Sequence, residues 1–221
     1  MSSRGATPGI PDSLVIVFAR APQPGRVKTR LAPLLGPAGA ARLQARLVTH
    51  ALATALRSGA GAVELCGTPR MRHPFFLRCR REYGVRLQAQ GAGDLGARML
   101  RAFRRALRGV RHVVLVGSDC PELSPADLRA ALRALCGGAD AVLAPAEDGG
   151  YALIGLRRPS PALFEGIEWG GSEVLAQTRG RLARLRWRTK ELRTVWDVDR
   201  PEDARRLGAV RLLRLRPRPP S

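Results

Sequence analysis

The stretch that most constrains the fold is residues 112–122, HVVLVGSDCPE. Residues 113–116 form an unbroken β-branched and leucine run, short enough for a strand buried on both faces. The run gives out at Gly117 and Ser118, Asp119 follows, and Pro121 stops the extended chain. Ser124, Pro125 and Asp127 then open a helix, with a hydroxyl at the N-cap, a proline in the first turn and a carboxylate three residues on. Such a strand belongs inside an α/β sheet and delivers Asp119 to the carboxyl edge, where these sheets bind ligands. A simple turn cap is the other reading of Asp119, and this stretch alone admits both.

Residues 14–19, LVIVFA, are apolar throughout and predict a second central strand. A loop fixed by Pro22, Pro24 and Gly25 follows and carries Arg20, Arg26, Lys28 and Arg30. It is not a Walker A loop, because Lys28 does not follow Gly25 directly and the first glycine of that motif is missing. Backbone amides beside several cations suit a phosphate chain, although a solvated basic loop has the same composition. Lys28 is informative because all but two of the 38 basic residues are arginine, the exceptions being Lys28 and Lys190. A lysine kept at 28 points to a need for a compact ammonium.

Residues 37–58 read as an amphipathic helix with Leu43, Leu47, Val48, Ala51, Leu52 and Ala55 on one stripe. Strands are expected at 62–66, 85–88, 140–145 and 186–190, with a turn and then another strand within 146–156. Helices are expected within 69–83, over 95–108, over 124–136 and over 172–185, the last capped by Ser172. Residues 90–94, QGAGD, make a glycine-rich entry to the third helix, where Asp94 is either its cap or a ligand contact. Asp148, Gly149 and Gly150 are either a hairpin turn or, with Glu147, an acidic loop suited to substrate hydroxyls or a metal. Asp197 and Asp199 alternate with Trp196 and Val198, so both carboxylates share one face of an extended segment. Like charges so placed need a cation or donors, and two aspartates with phosphate oxygens suit Mg²⁺.

The length of 221 residues suits one full α/β domain, and no linker divides it. Residues 1–12 read as a disordered N-terminus, 13–210 as the domain and 211–221 as a basic, proline-rich tail. No apolar run approaches the roughly 18 residues of a membrane span, and no signal-peptide core is legible, so a cytoplasmic location is expected. Cys66, Cys79, Cys120 and Cys136 form no C-x-x-C pair and read as reduced thiols. The net charge of +20 is an arginine skew scattered over helices without interleaved aromatics. It matches compositional bias better than dedicated nucleic-acid binding, and it suits a small polyanionic substrate.

Six ordered stretches together resemble one family: 18–31 (FARAPQPGRVKTRL), 93–99 (GDLGARM), 117–121 (GSDCP), 147–151 (EDGGY), 169–173 (WGGSE) and 197–203 (DVDRPED). They look like the bacterial GT-A-like transferases known as radical-SAM/selenodomain-associated transferases, and the match spans about residues 14–207. That family is similar in fold to nucleotide-diphospho-sugar transferases and to the guanylyltransferases for molybdenum cofactor and phospholactate. The resemblance implies a single-domain, three-layer, Rossmann-like α/β fold, with a mixed, mostly parallel sheet flanked by helices. It implies a Mg²⁺- or Mn²⁺-dependent transferase with a nucleotide-activated donor, a nucleotide sugar first, and an unknown acceptor. The alternatives are nucleotidyl transfer from an NTP with pyrophosphate release, and a non-catalytic polyanion-binding module.

By the same resemblance Ala19, Arg20, Gly25, Lys28, Thr29 and Arg30 hold the phosphates, and Gln90, Gly93 and Asp94 lie against base or ribose. Asp119, with Asp197 or Asp199, holds the metal. Residues 148–151 and 169–173, with Gly149, Gly150, Tyr151, Trp169 and Ser172 among them, frame the acceptor; for glycosyl transfer a carboxylate such as Asp148 or Glu173 is the candidate base for the acceptor hydroxyl. One departure stands out: glycosyltransferases of this fold carry Asp-x-Asp, whereas Ser118-Asp119-Cys120 offers one carboxylate, which leaves room for nucleotidyl transfer.

Overall fold

The structure is a computed structural model that describes residue 10 and residues 12–209. The expectations for 1–12 and 211–221 fall almost wholly outside the described residues. The elements are β1 (Ser13–Arg20), α1 (Ala32–Ser58), β2 (Ala62–Thr68), α2 (Pro74–Tyr83), β3 (Arg86–Ala89), α3 (Leu95–Ala106), β4 (His112–Gly117), α4 (Pro125–Cys136), β5 (Ala141–Pro145), β6 (Tyr151–Leu156), α5 (Pro161–Phe164), α6 (Val174–Arg184), β7 (Thr189–Glu191) and α7 (Pro201–Ala209). They build one seven-stranded sheet in the order β3-β2-β1-β4-β6-β5-β7. Among the described strands only β6 runs antiparallel to its neighbours. The expected mixed, mostly parallel architecture is the observed one.

The apolar runs are fully buried because helices cover both sheet faces. On one face Val15, Val17 and Val114 pack with Val48 and Leu52 of α1, Phe76 of α2 and Leu128 and Leu132 of α4. On the other, Ile16, Leu115 and Ile154 pack with Phe103 of α3, Phe164 of α5 and Leu182 of α6. A smaller cluster of Leu31, Leu43, Leu47, Trp196, Val198 and Leu207 pins residues 196–207 against α1.

Local chemistry accounts for the places where the elements depart from expectation. Gly36 at φ 66° breaks α1, so an extra turn at Ala32 precedes the expected run from residue 37. α2 begins only at Pro74, because His73 takes the N-cap and its ring nitrogen accepts from the Phe75 amide. Ser172 does not cap α6: Glu173 holds that position without a side-chain cap bond. Arg186 at φ 53° cannot extend a strand, and β7 therefore starts at Thr189. β1, β2, β3 and β4 are parallel, so their carboxyl ends meet at one edge, and the strand-end residues Arg20 and Gly117 both open on it.

Candidate active site

A cleft of about 570 Å³ lies over that edge, walled by the loop after β1, the turn after β4 and the start of α3. Ala19, Arg20, Lys28, Thr29, Arg30, Gln90, Asp119 and Asp199 line it. Arg26, Arg98, Gln44 and Ser118 also line it. Gly25, Gly93 and Asp94 do not line the cleft, although each shapes a wall. Gly25 at φ 74° turns the β1 loop. The Gly93 carbonyl accepts from Arg98 Nε at 2.8 Å, and Asp94 Oδ1 accepts from the Ala97 amide at 2.8 Å as the α3 N-cap.

Lys28 is the centre of the electrostatics. Its backbone is left-handed at φ 47°, a conformation non-glycine residues seldom adopt and one that marks functional loops. The side chain is 5% exposed, and Nζ pairs with Asp119 Oδ2 at 2.9 Å. Nζ also donates to the Val198 carbonyl at 2.5 Å, and the Val198 amide donates to the Asp119 carbonyl at 2.9 Å. The Asp197–Asp199 segment is thereby tied to the end of β4. Arg30 forms an ion pair with Asp199.

Asp119 is held on its other oxygen as well. The Ser118 hydroxyl donates to Oδ1 at 3.2 Å, and Gln44 Nε2 donates to Ser118 Oγ at 3.4 Å and to the Arg20 carbonyl at 3.5 Å. Gln44 is absent from the sequence-derived candidates, yet it carried a signal: a polar residue on the apolar stripe shared by Leu47, Val48 and Ala51. Gln90 is buried, and its Nε2 donates to the carbonyls of Ala19 and Cys66 at 3.1 and 2.9 Å. Both amide protons are thus spent on the sheet, and the side chain has only Oε1 to offer a ligand.

Burial pushes the Asp197 carboxyl up to about 6, with Asp148, Asp119 and Asp199 adding repulsion and Lys28 opposing them. Asp148, Asp119, Asp197 and Asp199 therefore share one field, with Lys28 as the cation within it. The Cys120 thiol is buried in the same field, and burial with Asp197, Asp119 and Asp148 raises its pKa well above the ordinary value, so it is a poor nucleophile.

The residues expected to frame the acceptor sit to one side. Asp148 Oδ1 accepts from the Gly150 amide at 2.9 Å and forms the hairpin turn. The Gly149 carbonyl accepts from the Leu175 amide at 2.8 Å, which fastens that turn to the start of α6. Tyr151 is half-buried with its hydroxyl inside, and that burial raises the hydroxyl pKa. The Trp169 indole Nε1 is buried against Gly96 of α3, without a hydrogen-bond partner among the described residues. Ser172 and Glu173 are exposed at the start of α6. None of these residues lines the cleft beside Lys28.

A mixed sheet between two helix layers, with a cation-lined cleft over its carboxyl edge, suits a phosphate-bearing ligand. The chain belongs to the family described as "Uncharacterized protein conserved in bacteria (DUF2064)", whose pattern matches residues 51–171. It is 32% identical over 196 residues to the phosphoenolpyruvate guanylyltransferase of Rubrobacter xylanophilus, covering 86% of this chain and 92% of that one. A crystal structure assigned as a nucleotide-diphospho-sugar transferase from Desulfovibrio desulfuricans G20 is 34% identical, with a TM-score of 0.83 over 90% of this chain and 87% of that one. A nucleotidyl transferase from Methanothermobacter shares the fold at 16% identity, with a TM-score of 0.61 over 92% and 99% of the two chains. Among the described residues no helix is long and apolar enough to cross a membrane.

Proposed function

We propose that the chain transfers a nucleotidyl group from an NTP to a phosphate- or carboxylate-bearing acceptor, releasing pyrophosphate. The observation that carries this reading is the convergence of Arg20, Arg26, Lys28, Arg30 and Arg98 on one cleft that also holds Asp119 and Asp199. That many cations suit a triphosphate, whose charge must be neutralised before an anionic acceptor can approach. An acceptor oxygen attacks the α-phosphorus, the bond to the bridging oxygen of the β-phosphate breaks, and pyrophosphate leaves with that electron pair. Arg20, Arg26 and Arg98 stabilise the leaving group. Lys28 and Arg30 pass from their carboxylates to the phosphates. Gln90 Oε1 accepts a hydrogen bond from the nucleoside, while Gln44 and Ser118 hold Asp119 in its rotamer.

A hard divalent cation, Mg²⁺ or Mn²⁺, fits the residues present. Among the described residues no three carboxylates, imidazoles or thiols form a closed shell. Two oxygen-donor aspartates completed by phosphate oxygens are the set such an ion takes with a nucleotide. Asp119 and either Asp197 or Asp199 would hold it, and it would neutralise phosphate charge. The reading takes residues 13–210 as one domain acting in the cytoplasm. Glycosyl transfer is the second reading, favoured by the Desulfovibrio relative, with Asp148 or Glu173 as base and Gly149, Gly150, Tyr151, Trp169 and Ser172 beside the acceptor.

The test is pyrophosphate release on mixing the chain with Mn²⁺, GTP and phosphoenolpyruvate, the acceptor named by the Rubrobacter relative, alongside the other NTPs. Acceptor-dependent pyrophosphate is the expected result. Nucleoside diphosphate from a nucleotide sugar, with no pyrophosphate from any NTP, would transfer the assignment to glycosyl transfer.

A further inference from the structure

We infer that Lys28, which bridges Asp119 and the 197–199 segment, competes with the divalent cation for that place, so that metal enters only in company with nucleotide phosphates. The inference rests on the reading of Asp119 as a metal carboxylate. Both oxygens of that carboxylate are engaged: Oδ2 by Lys28 Nζ at 2.9 Å, and Oδ1 by the Ser118 hydroxyl at 3.2 Å. The same ammonium reaches the Val198 carbonyl at 2.5 Å, between Asp197 and Asp199. Lys28 thus spans the gap between the end of β4 and the second aspartate segment, the gap that a cation held by both would span.

Burial points the same way. The Lys28 side chain is 5% exposed and the Asp119 side chain 45% exposed, so the ammonium lies beneath a carboxylate that is open to the cleft. The left-handed backbone at residue 28 fixes where the side chain starts. A compact ammonium with three donors can imitate a metal ion, whereas a guanidinium fork cannot. That is a physical reason for a lysine here in a chain otherwise built with arginine.

A free divalent ion must therefore compete with a buried ammonium before it gains Asp119. A nucleotide-bound ion meets no such barrier, because the phosphates attract Lys28 and release the carboxylate as the metal arrives. The cation then behaves as a co-substrate and not as a resident cofactor.

Calorimetric titration of the full chain with MnCl₂, without nucleotide, tests this. Lys28→Met is expected to bind Mn²⁺ about tenfold or more tightly than the unaltered chain, since a cation is removed from contact with the carboxylate. Adding Asp119→Asn should abolish the gain, and Mn²⁺ should raise the melting temperature of Lys28→Met but not of the unaltered chain. Lys28→Gln, which keeps a donor for the Val198 carbonyl, should show the same gain and serves if the methionine variant does not fold. No gain in either variant, while nucleotide binding by the unaltered chain still requires Mn²⁺, overturns the inference alone. Nucleotide binding indifferent to Mn²⁺, again with no gain, overturns the metal reading with it.

Discussion

Lys28 and Glu64 are both charged side chains inside an apolar frame, and they solve the problem differently. Lys28 faces a half-open carboxylate that a ligand can approach. Glu64 sits on β2 at 2% exposure, where Arg105 of α3 grips it through its two terminal guanidinium nitrogens, one contact being 2.8 Å. A buried pair broken on one side leaves an uncompensated charge, which costs about 3–5 kcal/mol. Arg105→Met should therefore destabilise the fold by an amount in that range by urea denaturation, with the urea slope unchanged. A loss no larger than that of an exposed ion pair would mean that water reaches Glu64. Neither contact was legible along the chain. Glu64 interrupts an apolar strand, but its partner lies 41 residues away. Lys28 was legible as a loop cation and as a lysine among arginines, but its pairing with Asp119 was not.

Two joints between elements set the shape of the site. His50 on α1 meets the Pro121 carbonyl beyond β4 at 3.1 Å, and burial lowers its pKa from 6.5. The unfolded chain then binds a proton that the folded chain refuses, so this contribution falls as pH drops through 6.5. Asp197, raised from 3.8 to about 6, acts in the opposite direction. The difference in melting temperature between the native chain and His50→Gln isolates the histidine. It should narrow on acidification from pH 8 to pH 5, since only the native chain loses stability through residue 50. A constant gap would remove His50 from the account.

The second joint is Gly149, at φ 87°, where a Cβ would stand 2.0 Å from the Ser172 carbonyl oxygen. Gly149→Ala should cost more than about 1 kcal/mol, since both the left-handed backbone and the contact with the α6 segment penalise it. Unchanged stability would mean that the turn and α6 move apart freely. The turn itself was legible from Asp-Gly-Gly; its attachment to the residues before α6 was not, because nothing in either segment records the other. The main elements were legible because apolar runs and caps are local signals. Ser118-Asp119 was legible as the end of such a run. Arg26 was legible as part of the basic loop after β1, whereas Gln44 and Arg98 reach the cleft through the packing of α1 and α3 on the sheet, a relation that periodicity does not encode.

At the scale of the whole molecule, the net charge of +20 gives a long-range field that attracts any polyanion. That field is screened over about 10 Å at 0.1 M salt, whereas pairs inside a cleft are screened less. Heparin binding should therefore collapse with added salt, while Mn²⁺-dependent nucleotide binding declines more gently. Parallel decline in fluorescence titrations would assign nucleotide affinity to the field and support a polyanion-binding module.

The claim on which the rest depends is that the Lys28–Asp119 cleft takes a nucleotide together with a divalent cation. Thermal unfolding of the unaltered chain and of Asp119→Asn, with each NTP in the presence and absence of Mn²⁺, addresses it directly. A nucleotide at about a hundred times its dissociation constant should stabilise the unaltered chain by roughly 2.7 kcal/mol. The account predicts that this stabilisation requires Mn²⁺ and is lost in Asp119→Asn. Equal stabilisation of both proteins, with or without Mn²⁺, would contradict it.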